Sequence, residues 1–398
     1  MSELSNKLIK ELKKSEKKKF AIFFTPTDII KQFIKEIDFS NIRTILEPSC
    51  GSCEFVNHII DKYDKVKIDG IEFNKHIYDS VVSEIGKSPN ISLINADFLK
   101  YDTNAVKKYD LIIGNPPYFI MNKSEVDKKF STLNLYDGKT NIFILFIIHA
   151  LAKLNNNGVL AFILPKSFMN SINYSKLRYK LYNEYCIEKI IDYGSIKFDE
   201  TSQETIGLIV RKSQTHNSND TYVFNIFENM LILTFNKQLL EKYYVGAVSL
   251  ISLGFKVKTG TVVWNERKED MSDDPEDTLL IHNSNIEKNS LVIKNFKNAE
   301  KKQYIKSDGK CEDLPIIVVN RGNGNSKYKL QFCYIDKRTV LIENHLNIIS
   351  PTSTCVTDMS KIINSLNNPK TAEWCSIFLG NNAFSKTEIE NYLPIYLE

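Results

Sequence analysis

The stretch Leu111-Ile112-Ile113-Gly114-Asn115-Pro116-Pro117-Tyr118 limits what this chain can fold into more than any other. A short apolar run punctuated by Gly reads as a buried strand. The residues after Gly114 cannot continue a sheet. Pro116 and Pro117 have no N–H and a fixed φ, and Pro116 also keeps Asn115 extended. The result is a stiff loop at the carboxyl end of a strand, the edge where ligands bind in open α/β sheets. It presents one amide side chain, free carbonyls and one aromatic ring. Such a loop suits a planar group that carries an exocyclic amine. The Asn115 side-chain oxygen and the Pro116 carbonyl can each accept one N–H of an –NH₂ group. The Tyr118 ring can stack on the heterocycle, as aromatics do on flipped bases. Read alone, the stretch also fits a plain proline-capped turn.

Other segments add to it. Phe23-Phe24-Thr25-Pro26-Thr27-Asp28 predicts a helix start, with Thr25 as N-cap, Pro26 at the first helical position and Asp28 in the first turn. Such a start can also bind a carboxylate. In Thr44 to Phe55 an apolar strand ends in Glu47. Pro48, Ser49, Cys50, Gly51, Ser52 and Cys53 come next, then a helix with Phe55 and Val56 inward. Gly51 lets the backbone pass close to a ligand. Lys67 to Glu72 predicts the next strand, and Glu72 stands 25 residues after Glu47. An acid at that place hydrogen-bonds ribose hydroxyls and repels a phosphorylated ribose. A third strand, Ile91 to Asn95, leads to Asp97-Phe98. Asp97 can accept from an adenine amine while Phe98 packs on that ring. Each acid alone is more often a solvated strand end; four matches in this order and spacing reverse that weighting.

Taken together, these residues resemble the amino-methyltransferases that use S-adenosyl-L-methionine, especially the N6-adenine DNA methyltransferases of the gamma arrangement. The resemblance covers roughly residues 20–212 well and the rest loosely. It implies an α/β, Rossmann-like catalytic domain with one antiparallel strand near its end, placed at Thr205 to Arg211. It implies S-adenosyl-L-methionine as cofactor, held by Thr25, Pro26, Glu47, Ser49, Cys50, Gly51, Glu72, Asp97, Phe98 and Asn115. Asn115, Pro116, Pro117 and Tyr118 would be the catalytic motif. Tyr118 and Phe198 would stack on the two faces of the target base, although Phe198 is equally well read as a loop aromatic tucked onto the sheet end. One departure is Cys53, which stands where the family has a second glycine; its small side chain is expected to be tolerated.

Composition bounds the remainder. The 398 residues, 42% apolar and 25% charged, predict two or three globular domains. Net charge is only +4, so a nucleic-acid surface must come from local clusters. Seven irregularly spaced cysteines and no secretory signal predict reduced thiols in a cytoplasmic protein. Cys50-Gly51-Ser52-Cys53 has no second pair at ligand spacing, so no metal is expected. No apolar run reaches membrane-spanning length. Residues 1–19, with Leu4, Leu8 and Leu12 at four-residue spacing and net charge +4, predict one basic amphipathic helix, solvated rather than phosphate-binding. Asn141 is expected to cap an apolar helix through Leu154, Asn155 to Gly158 to form a turn, Val159 to Leu164 a strand, Ser171 to Cys186 a helix and Ile187 to Tyr193 a strand.

The domains expected are thus the basic helix 1–19, a catalytic domain 20–212, a linker 213–220 and a mixed α+β target-recognition domain 221–398. In the last, Lys256, Lys258 and Trp264 form one basic stretch. Residues 301–338 hold nine Lys and Arg against four acids, and include Arg321 and Asn323. Arg, Asn and Gly suit base-edge readout and close phosphate approach. His345 comes after them, more often a structural hydrogen-bonder than a base reader, and the acidic run Glu269 to Asp277 predicts a solvated loop. Double-stranded DNA is the expected partner and a monomer the expected state. With 24 residues ahead of Thr25, a cognate restriction nuclease is expected as a separate chain. Other readings are methylation of a protein glutamine amide or of RNA adenine, and a catalytically silent DNA-binding subunit. Cytosine N4 is disfavoured, since that family tends to carry Ser at the Asn115 position.

Overall fold

In a computed structural model of the chain every residue is described except 1, 21, 86–87, 102–106, 195–203, 214–220, 228–229, 307–310, 323–327, 380–382 and 398. The short apolar runs become the strands β1 (Thr44–Glu47), β2 (Lys67–Glu72), β3 (Ile91–Asn95), β4 (Tyr109–Gly114), β5 (Leu154–Pro165), β6 (Cys186–Asp192) and β7 (Thr205–Arg211). They form one sheet in the order β3-β2-β1-β4-β5-β7-β6. β1 to β5 pair in parallel, and β7 runs antiparallel to both of its neighbours. The order reverses between β1 and β4, which leaves a crevice at their carboxyl ends.

Side-chain alternation divides the sheet into two cores. Leu46, Ile112, Leu160, Phe162 and Leu164 face one core, covered by α7 (Ile142–Ala152) and α8 (Ser175–Glu184), which follow the short α6 (Lys128–Ser131). Ile45, Leu111, Ile113, Ala161 and Ile163 face the other, covered by α3 (Thr27–Lys35), α4 (Glu54–Ile60) and α5 (Lys75–Ile85). α7 is buried nearly all round, from Phe143 to Leu151, and Asn141 caps it by accepting from the Phe143 N–H. A helix apolar on every face belongs inside, as its sequence predicts.

Several local expectations change. Residues 1–19 make two helices, α1 (Glu3–Glu11) and α2 (Lys14–Phe20). Leu4, Leu8 and Leu12 are buried in the same core as Ile77 and Val81, so the segment is packed rather than solvated. α3 begins at Thr27, and Thr25 makes no cap, because its hydroxyl has another partner. The Asn155–Gly158 turn falls within the span of β5: Tyr109 pairs with Leu154 and Leu111 with Val159, so these four residues loop out of the ladder, with Asn157 at φ 62° and its N–H bonded to the Lys212 carbonyl. Gly158 in turn accepts from the Lys212 N–H, so the polar run is held by the end of β7. The helix placed at Ser171 to Cys186 is confined to Ser175–Glu184.

Two compact units result, residues 1–225 with 230–235, and residues 226–229 with 236–398. The first extends past the 213–220 stretch read as a linker. The paired strands Val223–Ile226 and Met230–Leu233 carry Val223, Leu231 and Leu233 into the α7–α8 core. Fully buried Arg178 also donates to the Leu231 carbonyl at 2.9 Å. The second unit holds an antiparallel sheet of Phe255–Thr259, Leu346–Pro351, Ile316–Asn320 and Phe332–Ile335, in that order. A second small sheet includes Met271–Ser272, both buried, so the acidic run is not simply a solvated loop. The unit also holds the helices Lys237–Tyr244, Met359–Asn367, Pro369–Phe378 and Lys386–Asn391, with Trp374 fully buried. Among the described residues no helix is long and apolar enough to cross a membrane.

The packed N-terminus gives a measurable expectation. Leu8→Ala should lower unfolding free energy by about 2–5 kcal/mol in denaturant titration. Lys7→Ala, on the exposed face of α1, should change it by less than about 0.5 kcal/mol.

Candidate active site

The crevice at the ends of β1, β2 and β4 opens into a cavity of about 280 Å³. Ser49, Gly51, Glu72, Asp97, Phe98, Asn115, Pro116, Pro117 and Tyr118 all line it. The loop after β1 reaches it through a left-handed Gly51, φ 51°, a conformation that costs glycine little. The Gly51 N–H donates to Glu72 Oε2 at 2.9 Å and the Asn74 N–H to Oε1 at 2.7 Å. Burial raises the Glu72 carboxyl above its ordinary pKa, and these N–H groups oppose the rise. The Cys50 N–H bonds to the Ile71 carbonyl, which ties the loop to β2. Close approach there requires Gly70, where an added Cβ would come within 3.2 Å of Cys50 Sγ.

Asn115 is held from three sides. Its Nδ2 donates to Thr25 Oγ1 at 3.1 Å. Ser49 Oγ donates to its backbone carbonyl at 3.2 Å. The Tyr118 hydroxyl bonds to Asn115 Oδ1 and also reaches the Ile163 carbonyl, 2.7 Å away. Burial raises the Tyr118 phenol well above the usual range, so it stays protonated and able to donate. Its ring meets Phe143 edge-on, centroids 6.0 Å apart.

Thr25, Pro26, Glu47 and Cys50 do not line the cavity. Thr25 backs Asn115, and Pro26 sits at the N-cap of α3. Cys50 is buried beneath the loop. Glu47 is 2% exposed and its Oε2 has no hydrogen-bond partner. Burial pushes its carboxyl well above the ordinary 4.5. Cys53 adopts φ 60°, which explains why a glycine suits this position: the demand is on the backbone, not on side-chain size. Sequence reasoning missed Phe20, Phe73, Asn74 and Phe146 in the wall. Phe73 and Asn74 directly follow Glu72 and could have been inferred; Phe20 and Phe146 arrive by tertiary packing. Phe198 lies outside the described residues.

In the second unit Lys256 and Lys258 share the exposed face of their strand, alternating with buried Phe255 and Val257. Lys258 is paired with Glu312 at 2.5 Å. Trp264 is half-buried beneath the Lys301 ammonium, 5.2 Å from its ring centroid. Arg321 and His345 line one concavity with Lys301, Asn283 and Glu343, and Arg321 donates to the Asn344 carbonyl at 3.1 Å. Burial works against the Glu343 charge, but His282, the Asn283 N–H and Lys301 outweigh it and hold the carboxyl down to about 2. Asn323 lies outside the described residues.

The strand order with its reversed β7, and the crevice built on Glu72, Asp97 and Asn115, define the Rossmann-like methyltransferase class, whose expected cofactor is S-adenosyl-L-methionine. Within that class the family profile described as Eco57I restriction-modification methylase matches residues 10–198 of this chain. The Type II methyltransferase M.CvrRI of Paramecium bursaria Chlorella virus XZ-6E is 25% identical over 391 residues, covering 97% of each chain. The modification methylase CviBIII of Paramecium bursaria Chlorella virus NC1A is 24% identical over 397 residues, covering 97% of this chain and 96% of its own. Among solved structures, the M protein of the Type I restriction enzyme EcoKI aligns with TM-score 0.38 at 16% identity, over 48% of this chain and 44% of that one.

The buried loop yields two measurable outcomes. Cys53→Val should lower stability by about 2 kcal/mol or more, since a β-branched residue resists the left-handed conformation. Cys53→Gly should change it by less than about 1 kcal/mol, backbone relief offsetting lost packing. For Glu47 the folded carboxyl binds its proton more tightly than the unfolded one. Wild-type stability should therefore fall as pH rises above about 4.5. Denaturation at pH 5 and pH 8 should show that component missing in Glu47→Gln.

Proposed function

We propose that this protein methylates adenine N6 within a short duplex DNA sequence, as the modification component of a type II restriction–modification system acting in the cytoplasm. The observation that carries the reading is Asn115, fixed beside Pro116 and Tyr118 in the wall of the same cavity as Glu72 and Asp97. The match of residues 10–198 to a restriction-modification methylase family profile and full-length similarity to viral modification methylases support DNA as the substrate.

The residues fit the cofactor. Glu72 suits ribose hydroxyls and Asp97 an adenine amine, with Phe98 against that ring. When bound, S-adenosyl-L-methionine supplies a methyl group activated by the sulfonium charge. The chain's own part is positioning. Lys256, Arg321 and their neighbours would grip phosphates and base edges. A flipped adenine would stack on Tyr118, at a cost of a few kcal/mol for extrusion. Asn115 Oδ1 and the Pro116 carbonyl would accept its two N6 hydrogens and turn the nitrogen lone pair away from ring conjugation. So held, the N6 lone pair would be presented to the methyl group that the bound cofactor supplies, the C–S electrons would stay with sulfur, and one N6 proton would pass to solvent.

The test is to map N6-methyladenine in DNA from cells expressing the chain. One short motif should be methylated throughout. Asn115→Ala should cut turnover by on the order of 10²–10³-fold, as removal of a single preorganised hydrogen bond does elsewhere. Unmodified DNA alongside a methylated protein, or near wild-type turnover in Asn115→Ala, overturns the reading.

A further inference from the structure

We infer that Lys301 and Arg321 form a seat for one backbone phosphate of DNA; the inference rests on the reading of DNA as the substrate and deepens it. The seat is a concavity of about 660 Å³ in the second unit, whose lining includes Asn283, Ser284, Lys301, Arg321, Glu343 and His345. Sheet topology brings its parts together. The parallel strands Thr278–Ile281 and Val340–Ile342 pair Ile281 with Ile342 and end level. Asn283 and Glu343 therefore leave the sheet side by side, and the Asn283 N–H donates to Glu343 Oε2 at 3.0 Å. Glu343 Oε1 is left 3.9 Å from the Lys301 ammonium.

That ammonium is held in place, yet its donors are not used. It lies 5.2 Å from the Trp264 ring centroid and 5.1 Å from that of Phe296. A lysine stem is long and flexible, and fixing it on a ligand costs rotamer freedom. Two aromatic rings and a carboxylate have already restricted it here. Among the described residues, however, no N–H of the Lys301 ammonium donates to an oxygen or nitrogen acceptor. By contrast, Lys258, Lys268 and Lys302 of the same unit each lie within 2.7 Å of a carboxylate oxygen. Arg321 donates through Nη1 to the Asn344 carbonyl, which fixes its guanidinium beside the same hollow. The shape and charge favour a phosphate over a base edge. Base edges lie recessed in a groove and are met by side chains that protrude into it. A phosphate stands out from the duplex and can enter a hollow. An ammonium is a point charge that suits phosphate oxygens. Glu343 is only 4% exposed, so it orients Lys301 without meeting the ligand.

The experiment titrates the full chain onto a fluorescent mixed-sequence DNA duplex, by anisotropy, between about 50 and 200 mM salt. In parallel, the methylated motif is mapped in DNA from cells expressing each variant. Lys301→Gln should weaken binding on the order of 10-fold at the low-salt end and make the slope of log affinity against log salt shallower by about 1. Its methylated motif should remain that of wild type, because a phosphate contact carries no sequence. Lys301→Arg keeps the charge and the ring contacts, and should stay within about 3-fold of wild type with the slope unchanged. Should Lys301→Gln not fold, Arg321→Gln removes the neighbouring cation and must show the same signature. Wild-type affinity and slope in Lys301→Gln overturn the inference. So does a motif relaxed at one base pair, which marks a base reader, or an arginine variant as weak as glutamine. The wild-type chain separates the failures. If it binds the duplex and methylates DNA while Lys301→Gln matches it, only the phosphate seat is wrong. If it neither binds nor methylates DNA, the substrate reading falls and the seat with it.

Discussion

The site depends on β1 and β4 ending side by side. Their pairing is short, Ile45 with Leu111 and Leu46 with Ile112. A few residues on, β1 meets Pro48 and β4 meets Pro116, and neither strand can continue past its proline. The two loops must then diverge from adjacent points, and Ser49 Oγ bonds across the gap to the Asn115 carbonyl. The loop read as cofactor-binding and the loop read as base-holding are thereby one mechanical unit. Had a helix or a longer ladder followed either strand, no crevice would exist at the switch point.

How much of this was legible depends on where each signal lies. Strand ends punctuated by Gly, Pro and acids are local, so β1, β2, β3, β4 and their loops could be read directly. The reversed β7, Thr205–Arg211, was implied by family resemblance and has those bounds in the structure. Roles that depend on what packs behind a residue were not legible. Thr25 has every feature of an N-cap, yet its hydroxyl is used by an amide 90 residues away. Leu4, Leu8 and Leu12 have amphipathic spacing that a solvated basic helix would share; only the apolar face of α5 turns them into core. Cys53 looked like a question of side-chain volume and is one of backbone sign.

The N-terminal segment gains most from the structure. Ser5 Oγ donates to buried Glu54 at 2.6 Å and bonds Ser52 Oγ at 2.7 Å, joining α1 to the loop after β1. Asn74 Nδ2 donates to Glu16 at 2.8 Å, and Phe20 meets Phe73 with centroids 5.8 Å apart, joining α2 to the loop after β2. Thr25 then reaches Asn115. Segments of the first 25 residues thus contact, in order, three of the four loops around the cavity, those after β1, β2 and β4, although their composition reads as a basic tail. Charge here decorates a packed segment; the apolar and small polar residues set its place.

The central claim is that Asn115 holds the amine of an adenine. The most direct measurement is enzymatic digestion of duplex DNA after incubation with the purified protein and methyl-labelled S-adenosyl-L-methionine, followed by mass spectrometry of the nucleosides. Label in N6-methyldeoxyadenosine alone, absent with Asn115→Ala, is the result predicted. Label in N4-methyldeoxycytidine, or in protein with none in DNA, would contradict it.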